Sequence, residues 1–340
     1  MELKREQYPA VDCFKFICCI LIIAIHAKPF ANNYWLDAGV GLVTRFAVPY
    51  FFVATGFFFF RTIAGKNTSN NKRLQKYELR IFSLYIVWFI IHMIFNVVIS
   101  STIYSPLYYL RHFFLPNNGS ILWFLPATML AVFIVYELSG VMDSRKIFIF
   151  SIACWLLGYC MSTLSPVFER NMMASDIIDF MQKHIGIQNG IFFGLPYISL
   201  SKLLAEENAK KTIKRDILGI VLSFLCLGIE SILVVMNIHP TLTFLWLSSL
   251  PMTYFTFHLT MTTEMKMRPV FVTMRKVSTL VYVIHPIVIS IIGILFSTLK
   301  FVDYQNLVLF FATCLISIEL SMIIYYLSKK RACKAVRYLM

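Results

Sequence analysis

Charge is what this chain lacks. Asp, Glu, Lys and Arg make up 14% of its 340 residues, against about a quarter in a soluble domain. Acidic residues are scarcest, 17 against 31 Lys and Arg. Runs alternating every second residue are scarce too, which argues against an outer-membrane barrel. The eight cysteines form no C-x-x-C pair and no His–Cys spacing that suits zinc, so neither a disulfide framework nor a metal site is expected. Cys13, Cys18, Cys19, Cys154, Cys160, Cys226 and Cys314 fall in apolar runs and Cys333 in a basic tail, where they read as packing residues. No small-residue cleavage site follows the first apolar block, so a removable signal peptide is not expected.

What the chain has instead is apolar length. Hydrophobic residues make up 59% of it, and the mean hydropathy is +0.72. The excess comes in blocks such as 81–99, 216–236 and 305–327. A helix rises about 1.5 Å per residue, so blocks of roughly 20 residues match a hydrocarbon core about 30 Å thick. The expected fold class is therefore all-α, a polytopic transmembrane helical bundle forming one integral-membrane domain over 1–340. Ten spans are expected near 11–30, 40–60, 78–101, 121–139, 147–163, 185–201, 213–236, 240–258, 276–298 and 305–327. The 185–201 span is the weakest, being short and holding Gly190, Gly194 and Pro196.

The net charge of +14 would suit nucleic acid if it were clustered on a soluble face. It lies instead in short loops between spans, so no nucleic-acid partner is expected. With the N-terminus inside, the cytoplasmic segments hold 24 Lys and Arg and the external ones four, Arg111, Arg170, Lys183 and Lys300. That bias follows the positive-inside rule. It predicts a multi-pass protein of the cell (inner or cytoplasmic) membrane with both termini cytoplasmic. The external segment 102–120 carries Tyr104, Tyr108, Tyr109, Pro106 and Pro116, an interfacial aromatic belt. The segment 164–184 holds a Ser175-Asp176 start that could cap a short helix. The tail 329–340, with Lys329, Lys330, Arg331, Lys334 and Arg337, is expected to anchor to anionic lipid with no soluble domain beyond it. No internal repeat is evident.

Ionisable groups within spans cost about 2.5–3.5 kcal/mol each on insertion scales and are functional candidates for that reason. They are Asp12, Lys15, His26, Arg45, His92, Glu230, His258, His285 and Glu319. Lys15 and His26 stand eleven residues apart, about three turns plus 20°, so they share one helix face roughly 16 Å apart along the axis. Asp12 sits one turn before Lys15 on nearly the same face and can pair with it. A snorkelling lysine and a packed histidine would explain each residue alone; three polar residues on one stripe imply a polar lumen. Arg45, near the external third of span two, precedes Pro49, Tyr50, Phe51, Phe52 and Gly56. A guanidinium facing lipid is costly, so a carboxylate, a substrate or a donor group should face it. Arg80 at the start of span three reads by itself as a positive-inside anchor. His285 precedes Pro286, and Pro removes a backbone donor that can kink a helix at a cavity. Glu230 and Glu319 show no partner in sequence, and His92, His112, His184, His239 and His258 read as polar packing or surface.

At these residues the chain resembles the acyltransferase family 3 proteins, integral-membrane O-acyltransferases. Val11-Asp12-Cys13-Phe14-Lys15 and Ala24-Ile25-His26 are similar to a first-span element of a basic residue, ten residues and a His, with Lys15 where Arg is usual. Val48-Pro49-Tyr50-Phe51-Phe52-Val53-Ala54-Thr55-Gly56 looks like the second-span Pro, paired Phe and Ser-Gly pattern, with Thr for Ser. Arg80-Ile81-Phe82-Ser83-Leu84-Tyr85 resembles the third-span start, with Ser83 in place of Pro. Leu122-Trp123-Phe124-Leu125 and Tyr282-Val283-Ile284-His285-Pro286 are similar to two later elements. Phe14-Lys15, Arg45-x-x-x-Pro49 and the run Gly190 to Tyr197 look closest to a subgroup that includes the membrane half of VanT-type serine racemases.

The resemblance implies acyl transfer from acetyl-CoA or another acyl-CoA, as donor substrate with no bound cofactor, to a hydroxyl of an envelope carbohydrate or related acceptor. It implies His26 as general base and Arg45 at the donor carbonyl or oxyanion. Lys15 and Arg80 would bind donor phosphates, with Asp12 and His285 in support. The subgroup implies the other class, transport or sensing of a small amino acid such as serine.

Overall fold

The computed structural model describes residues 7–63, 68–100, 103–115, 120–168, 172–207, 210–237, 245–299, 305–330 and 339. Pro116, Arg170, His239, Lys300 and Cys333 lie outside the described residues, as do Arg331, Lys334 and Arg337 of the expected basic tail. The described residues are helical with no strand, an all-α polytopic bundle. Eight stretches are long and apolar enough to cross a membrane: Pro9–Ala27, Tyr34–Phe60, Ser69–Ile99, Ile121–Leu138, Ser144–Ser162, Ile213–Met236, Pro269–Thr298 and Asn306–Ser328. These correspond to eight of the ten expected spans. The other two, 185–201 and 240–258, contain shorter helices. Gly186 takes a positive φ of 76°, and Asn189 accepts hydrogen bonds from the amides of Ile191 and Phe192. Helix thus starts only at Gly190, as a π-helical turn Gly190–Gly194 that runs into Leu195–Glu206. In place of 240–258 stands Ser249–Thr262, and residues 238–244 lie outside the described set.

Two compact units form from discontinuous pieces. The first comprises Met1–Phe51, Ala209–Ile220 and Thr253–Met340. Its helices are α1 (Pro9–Ala27), α2 (Tyr34–Thr44), the start of α3 (Ala47–Phe60), α13 (Pro269–Leu299) and α14 (Gln305–Ser328). The start of α11 (Ile213–Asn237) and most of α12 (Ser249–Thr262) also belong to it. α1 begins at Pro9, whose missing N–H costs nothing in a first turn. It ends at Lys28 in the left-handed region, φ 45°, whose amide donates to Ala24 O at 3.0 Å. α14 packs on α13 and α1. It buries Thr313, Ser317 and Ser321, one residue per turn, the small-residue stripe that lets membrane helices approach closely. Glu319 lies on its exposed side.

The second unit comprises Phe52–Asn208 and Val221–Met252. It holds α4 (Thr68–Ser100), α5 (Pro106–Phe114), α6 (Phe124–Leu138), α7 (Ser144–Ser162), the short α8 (Ser165–Phe168), α9 (Met172–His184) and α10 (Leu195–Glu206). Its core is aromatic. Phe52 lies 4.6 Å from the Phe124 ring and 5.7 Å from Phe193, which lies 5.1 Å from Trp123 and 5.6 Å from Tyr197. Each such pair adds about 0.5–1.5 kcal/mol beyond its buried area. Glu230, unexplained in sequence, holds a helix start in place. Its carboxylate accepts from the amides of Leu247 at 2.7 Å and Ser248 at 2.9 Å, just before α12. Amides at the start of a helix have no partner within it, and a negative charge there is stabilising.

Close approach in this unit depends on glycine at one position above all. A Cβ at Gly190 would lie 2.7 Å from Ala127 O and 2.7 Å from Leu130 Cβ, and a helix backbone cannot step aside as a side-chain tip can. Gly190→Ala is expected to cost about 1–3 kcal/mol as overpacking, lowering the thermal unfolding midpoint of detergent-solubilised protein. Gly228→Ala, with nothing within 4 Å of the added carbon in the interior of α11, should leave the midpoint undiminished or raise it slightly.

Candidate active site

The site grows from a seam between α1 and α13. Asp12, Cys19 and His26 recur every seven residues on α1, a spacing that returns to the same helix face within about 20°. Each meets a residue of α13 further along the chain. The Asp12 carboxylate accepts from Arg275 Nε at 2.8 Å and Nη2 at 2.5 Å. Cys19 Sγ donates to Ser278 O at 3.2 Å. The His26 ring lies 5.3 Å from that of His285, centre to centre, at 37°. Positions rise together on both helices, so α1 and α13 run parallel.

The two ends of the seam differ chemically. At the Asp12 end the carboxylate is fully buried while the Arg275 side chain is 33% exposed. The paired fork is the geometry that suits a guanidinium and a carboxylate. Lys15, also buried, holds Nζ 5.4 Å from the centre of the Phe51 ring, within cation–π range. Sequence expects Asp12 to position Lys15; the structure gives its carboxylate a forked partner, Arg275, from the neighbouring helix. About 21 Å further along α1, His26 is exposed while His285 is fully buried. His285 Nδ1 lies 3.1 Å from Val281 O, one turn back. The next residue, Pro286, lies inside α13 and cannot donate to Tyr282 O, so backbone pairing is already interrupted at this level.

Arg45 sits where span two is broken. α2 ends at Thr44 and α3 begins at Ala47. The reason lies in Pro49, which has no N–H to give the Arg45 carbonyl and whose ring crowds that carbonyl in a continuous helix. The helix resumes with Tyr50 N donating to Phe46 O at 2.8 Å. The break leaves Arg45 half-buried in the same unit as His26. Below it, fully buried Tyr50 pairs its hydroxyl with Thr260 Oγ1 at 2.7 Å, and its ring lies 4.9 Å from Phe14 and 5.4 Å from Phe257. That wall fixes the start of α3 against α1 and α12.

Five of the six residues expected at the site, Asp12, Lys15, His26, Arg45 and His285, thus fall in the first unit. Arg80 is exposed on α4 in the second. Two features escape sequence reasoning. Arg275 reads in sequence as one more cytoplasmic basic residue, although it lies ten residues before His285 much as Lys15 lies before His26. The other is a buried network in which His258 Nδ1 lies 2.7 Å from Asp216 Oδ2. Arg215 donates from Nε at 3.1 Å and Nη2 at 2.9 Å to Asp216 Oδ1. Asp216 and His258 are 42 residues apart, so no local spacing announces them. His92 and His184 lie beside Trp88 and Phe180, at 6.3 and 4.7 Å between ring centres. Among the described residues no three His, Cys, Asp or Glu side chains gather as metal ligands.

Comparison with known proteins places nearly the whole chain in one family. A family described as "Acyltransferase domain", acyltransferase family 3, matches residues 8–326. The chain is 24% identical over 299 residues to an "Amino-acid racemase" of Enterococcus faecalis, covering 85% of this chain and 42% of that protein. It is 29% identical over 168 residues to another "Amino-acid racemase" of the same organism, covering 46% of this chain and 22% of that one. It is 24% identical over 230 residues to a "Serine/alanine racemase" of Enterococcus gallinarum, covering 65% and 32%. The chain therefore spans less than half the length of these curated relatives. No solved structure matches it significantly.

The Asp12–Arg275 fork makes an asymmetric prediction. Arg275→Gln leaves a fully buried carboxylate without its guanidinium and should cost about 3–5 kcal/mol. Asp12→Asn leaves a guanidinium that already reaches solvent and should cost less. Thermal unfolding of the two variants in detergent tests the order.

Proposed function

The chain belongs to acyltransferase family 3, and from that membership we propose that it is a membrane O-acyltransferase. It would move an acyl group from acyl-CoA, acetyl-CoA foremost, to a hydroxyl of an envelope carbohydrate or related acceptor. The observation that carries this reading is the α1–α13 seam, with charged side chains at one end and two imidazoles at the other, on a chain matched by the family over 8–326.

In this reading His26 takes the proton of the acceptor hydroxyl. An imidazole, with an ordinary pKa of about 6.5, is suited to that exchange near neutral pH. The hydroxyl oxygen attacks the thioester carbonyl, and the Arg45 guanidinium stabilises the oxyanion that forms. When the tetrahedral intermediate collapses the carbon–sulfur bond breaks, and the imidazolium returns its proton to the departing thiolate. The products are the ester and free CoA. Lys15 contacts the donor phosphates, and Arg275, oriented by Asp12, joins it at the charged end. Guanidinium and phosphate pair well in two-point contacts.

The sidedness follows from the basic bias and the seam together. α1 and α13 run parallel, and the segments preceding both are basic, with Lys4 and Arg5 before one and Lys266 and Arg268 before the other. This supports putting the charged end and both termini in the cytoplasm, the imidazole end towards the outside, and the chain in the cytoplasmic or inner membrane. Donor then enters from inside and acceptor from outside.

A second reading rests on the relatives, amino-acid and serine/alanine racemases. There the seam would carry or sense a small amino acid, with Arg45 holding its carboxylate. The two readings separate on a CoA requirement. The first expects purified protein in proteoliposomes to release CoA from acyl-CoA when acceptor is present. Saturable serine uptake without CoA would support the second. On the first reading His26→Ala lowers turnover by about 10²–10⁴-fold with insertion intact; undiminished turnover would remove His26 from the mechanism.

A further inference from the structure

Resting on the acyl-CoA reading, we propose that Arg215 and Tyr254 form the nucleotide subsite of the donor, Arg215 taking the 3′-phosphate of CoA and Tyr254 the adenine. The starting observation is a second fork built like the first. At the seam the fully buried Asp12 holds Arg275, whose side chain is 33% exposed. At the start of α11 the fully buried Asp216 holds Arg215, whose side chain is 47% exposed. Asp216 Oδ1 accepts from Arg215 Nε at 3.1 Å and from Nη2 at 2.9 Å. Its other oxygen, Oδ2, accepts from His258 Nδ1 at 2.7 Å. A neutral His258 that donates from Nδ1 keeps Nε2 as an acceptor, and Arg215 Nη2 lies 3.3 Å from it. The guanidinium is thus gripped from two helices, α11 and α12, while about half of the side chain remains exposed. A planar fork fixed in this way loses little freedom when it meets a phosphate in two-point contact.

The neighbouring ring points to a nucleotide in place of a bare anion. Tyr254 and His258 stand one turn apart on α12, with ring centres 5.9 Å apart at 34°. Arg215 Cζ lies 6.0 Å from the centre of the half-buried Tyr254 ring. An aromatic ring beside a guanidinium suits a purine that carries a phosphate, because the base stacks while the anion meets the fork. Lys210, Lys211 and Lys214, all exposed, precede Arg215 in the chain and add attraction for a multiply charged ligand. The placement suits the same donor as the seam. Phe257, next to His258, has its ring 5.4 Å from that of Tyr50, which lies 4.9 Å from the ring of Phe14, the neighbour of Lys15. The second fork and Lys15 therefore adjoin one aromatic wall within the first unit. On the orientation proposed above both stand towards the cytoplasm, where the basic segments 210–215 and 266–268 border α11 and α12. CoA carries a diphosphate and, on its ribose, a separate 3′-phosphate. Lys15 and Arg275 are the partners for the first, and Arg215 for the second.

Acetyl-CoA and acetyl-dephospho-CoA differ by the 3′-phosphate alone, and equilibrium binding of the pair to the full chain in nanodiscs is the test. In the parent, loss of that phosphate should weaken binding about 10- to 100-fold, the size of one charge-assisted contact. Arg215→Gln should weaken acetyl-CoA by the same factor and leave acetyl-dephospho-CoA unchanged, so that the preference disappears. Tyr254→Leu should weaken both ligands about tenfold and keep the preference. A fork that only holds the fold together would make Arg215→Gln weaken both ligands equally. That result, or a parent with no preference, overturns the phosphate contact, and a Tyr254→Leu variant that binds both as the parent does overturns the adenine contact. Should Arg215→Gln fail to fold, the parent is cross-linked with acetyl-CoA bearing an 8-azidoadenine, with plain acetyl-CoA as competitor. Competable cross-links are expected within 210–216 and 254–258, and competable cross-links found only elsewhere overturn the proposal. A parent that binds neither ligand refutes the acyl-CoA donor and this subsite with it, whereas a parent that binds both equally refutes the subsite alone.

Discussion

A buried carboxylate with a forked guanidinium sets the rest of the first unit. Taking Asp12 out of water costs several kcal/mol unless a partner meets it, and Arg275 meets it with two donors from α13. Once that fork is made, register between α1 and α13 is no longer free. Seven residues along α1, Cys19 falls opposite Ser278, and seven further on His26 falls beside His285. In a lipid environment apolar side chains give helices little reason to prefer one register. A single polar contact can therefore decide which residues stand together some 20 Å away.

Span two supplies the complementary element by breaking. A continuous helix through Arg45 would satisfy its backbone and leave the guanidinium to find what partner it could. Pro49 interrupts that helix four residues after Arg45, and the chain restarts against the Tyr50, Phe14 and Phe257 wall. Irregular backbone at membrane depth persists only where protein or a polar interior supports it. Arg45, α1 and α13 share one unit, so the break serves to present charge within that unit and is no flaw in a span.

Sequence made the apolar helices legible because bilayer thickness dictates their length. The stripe of Asp12, Lys15 and His26 was legible because helical periodicity is local. Partners across the seam were not. Arg275 looks like one more basic residue at a span boundary until α13 is laid beside α1, and pairing Asp216 with His258 requires two separate helices to meet. Glu230 had no visible partner because it binds backbone amides, which carry no side-chain signature. The regions 185–201 and 240–258 are apolar enough to suggest spans. Gly186 and Asn189 set a late helix start in one, and in the other the helix runs Ser249–Thr262.

On the acyl-transfer reading, one seam receives the phosphates of an acyl-CoA at its Asp12–Arg275 end and the reacting carbonyl at its imidazole end. The most direct measurement is a cross-link map of the chain in nanodiscs, using a CoA that carries a photoreactive acyl group, with unlabelled acyl-CoA as competitor. Competable cross-links are expected on α1 and α13 around His26 and His285, weakened when Lys15 and Arg275 are neutralised together. Cross-links confined to helices of the second unit, or insensitive to competitor, would contradict that reading.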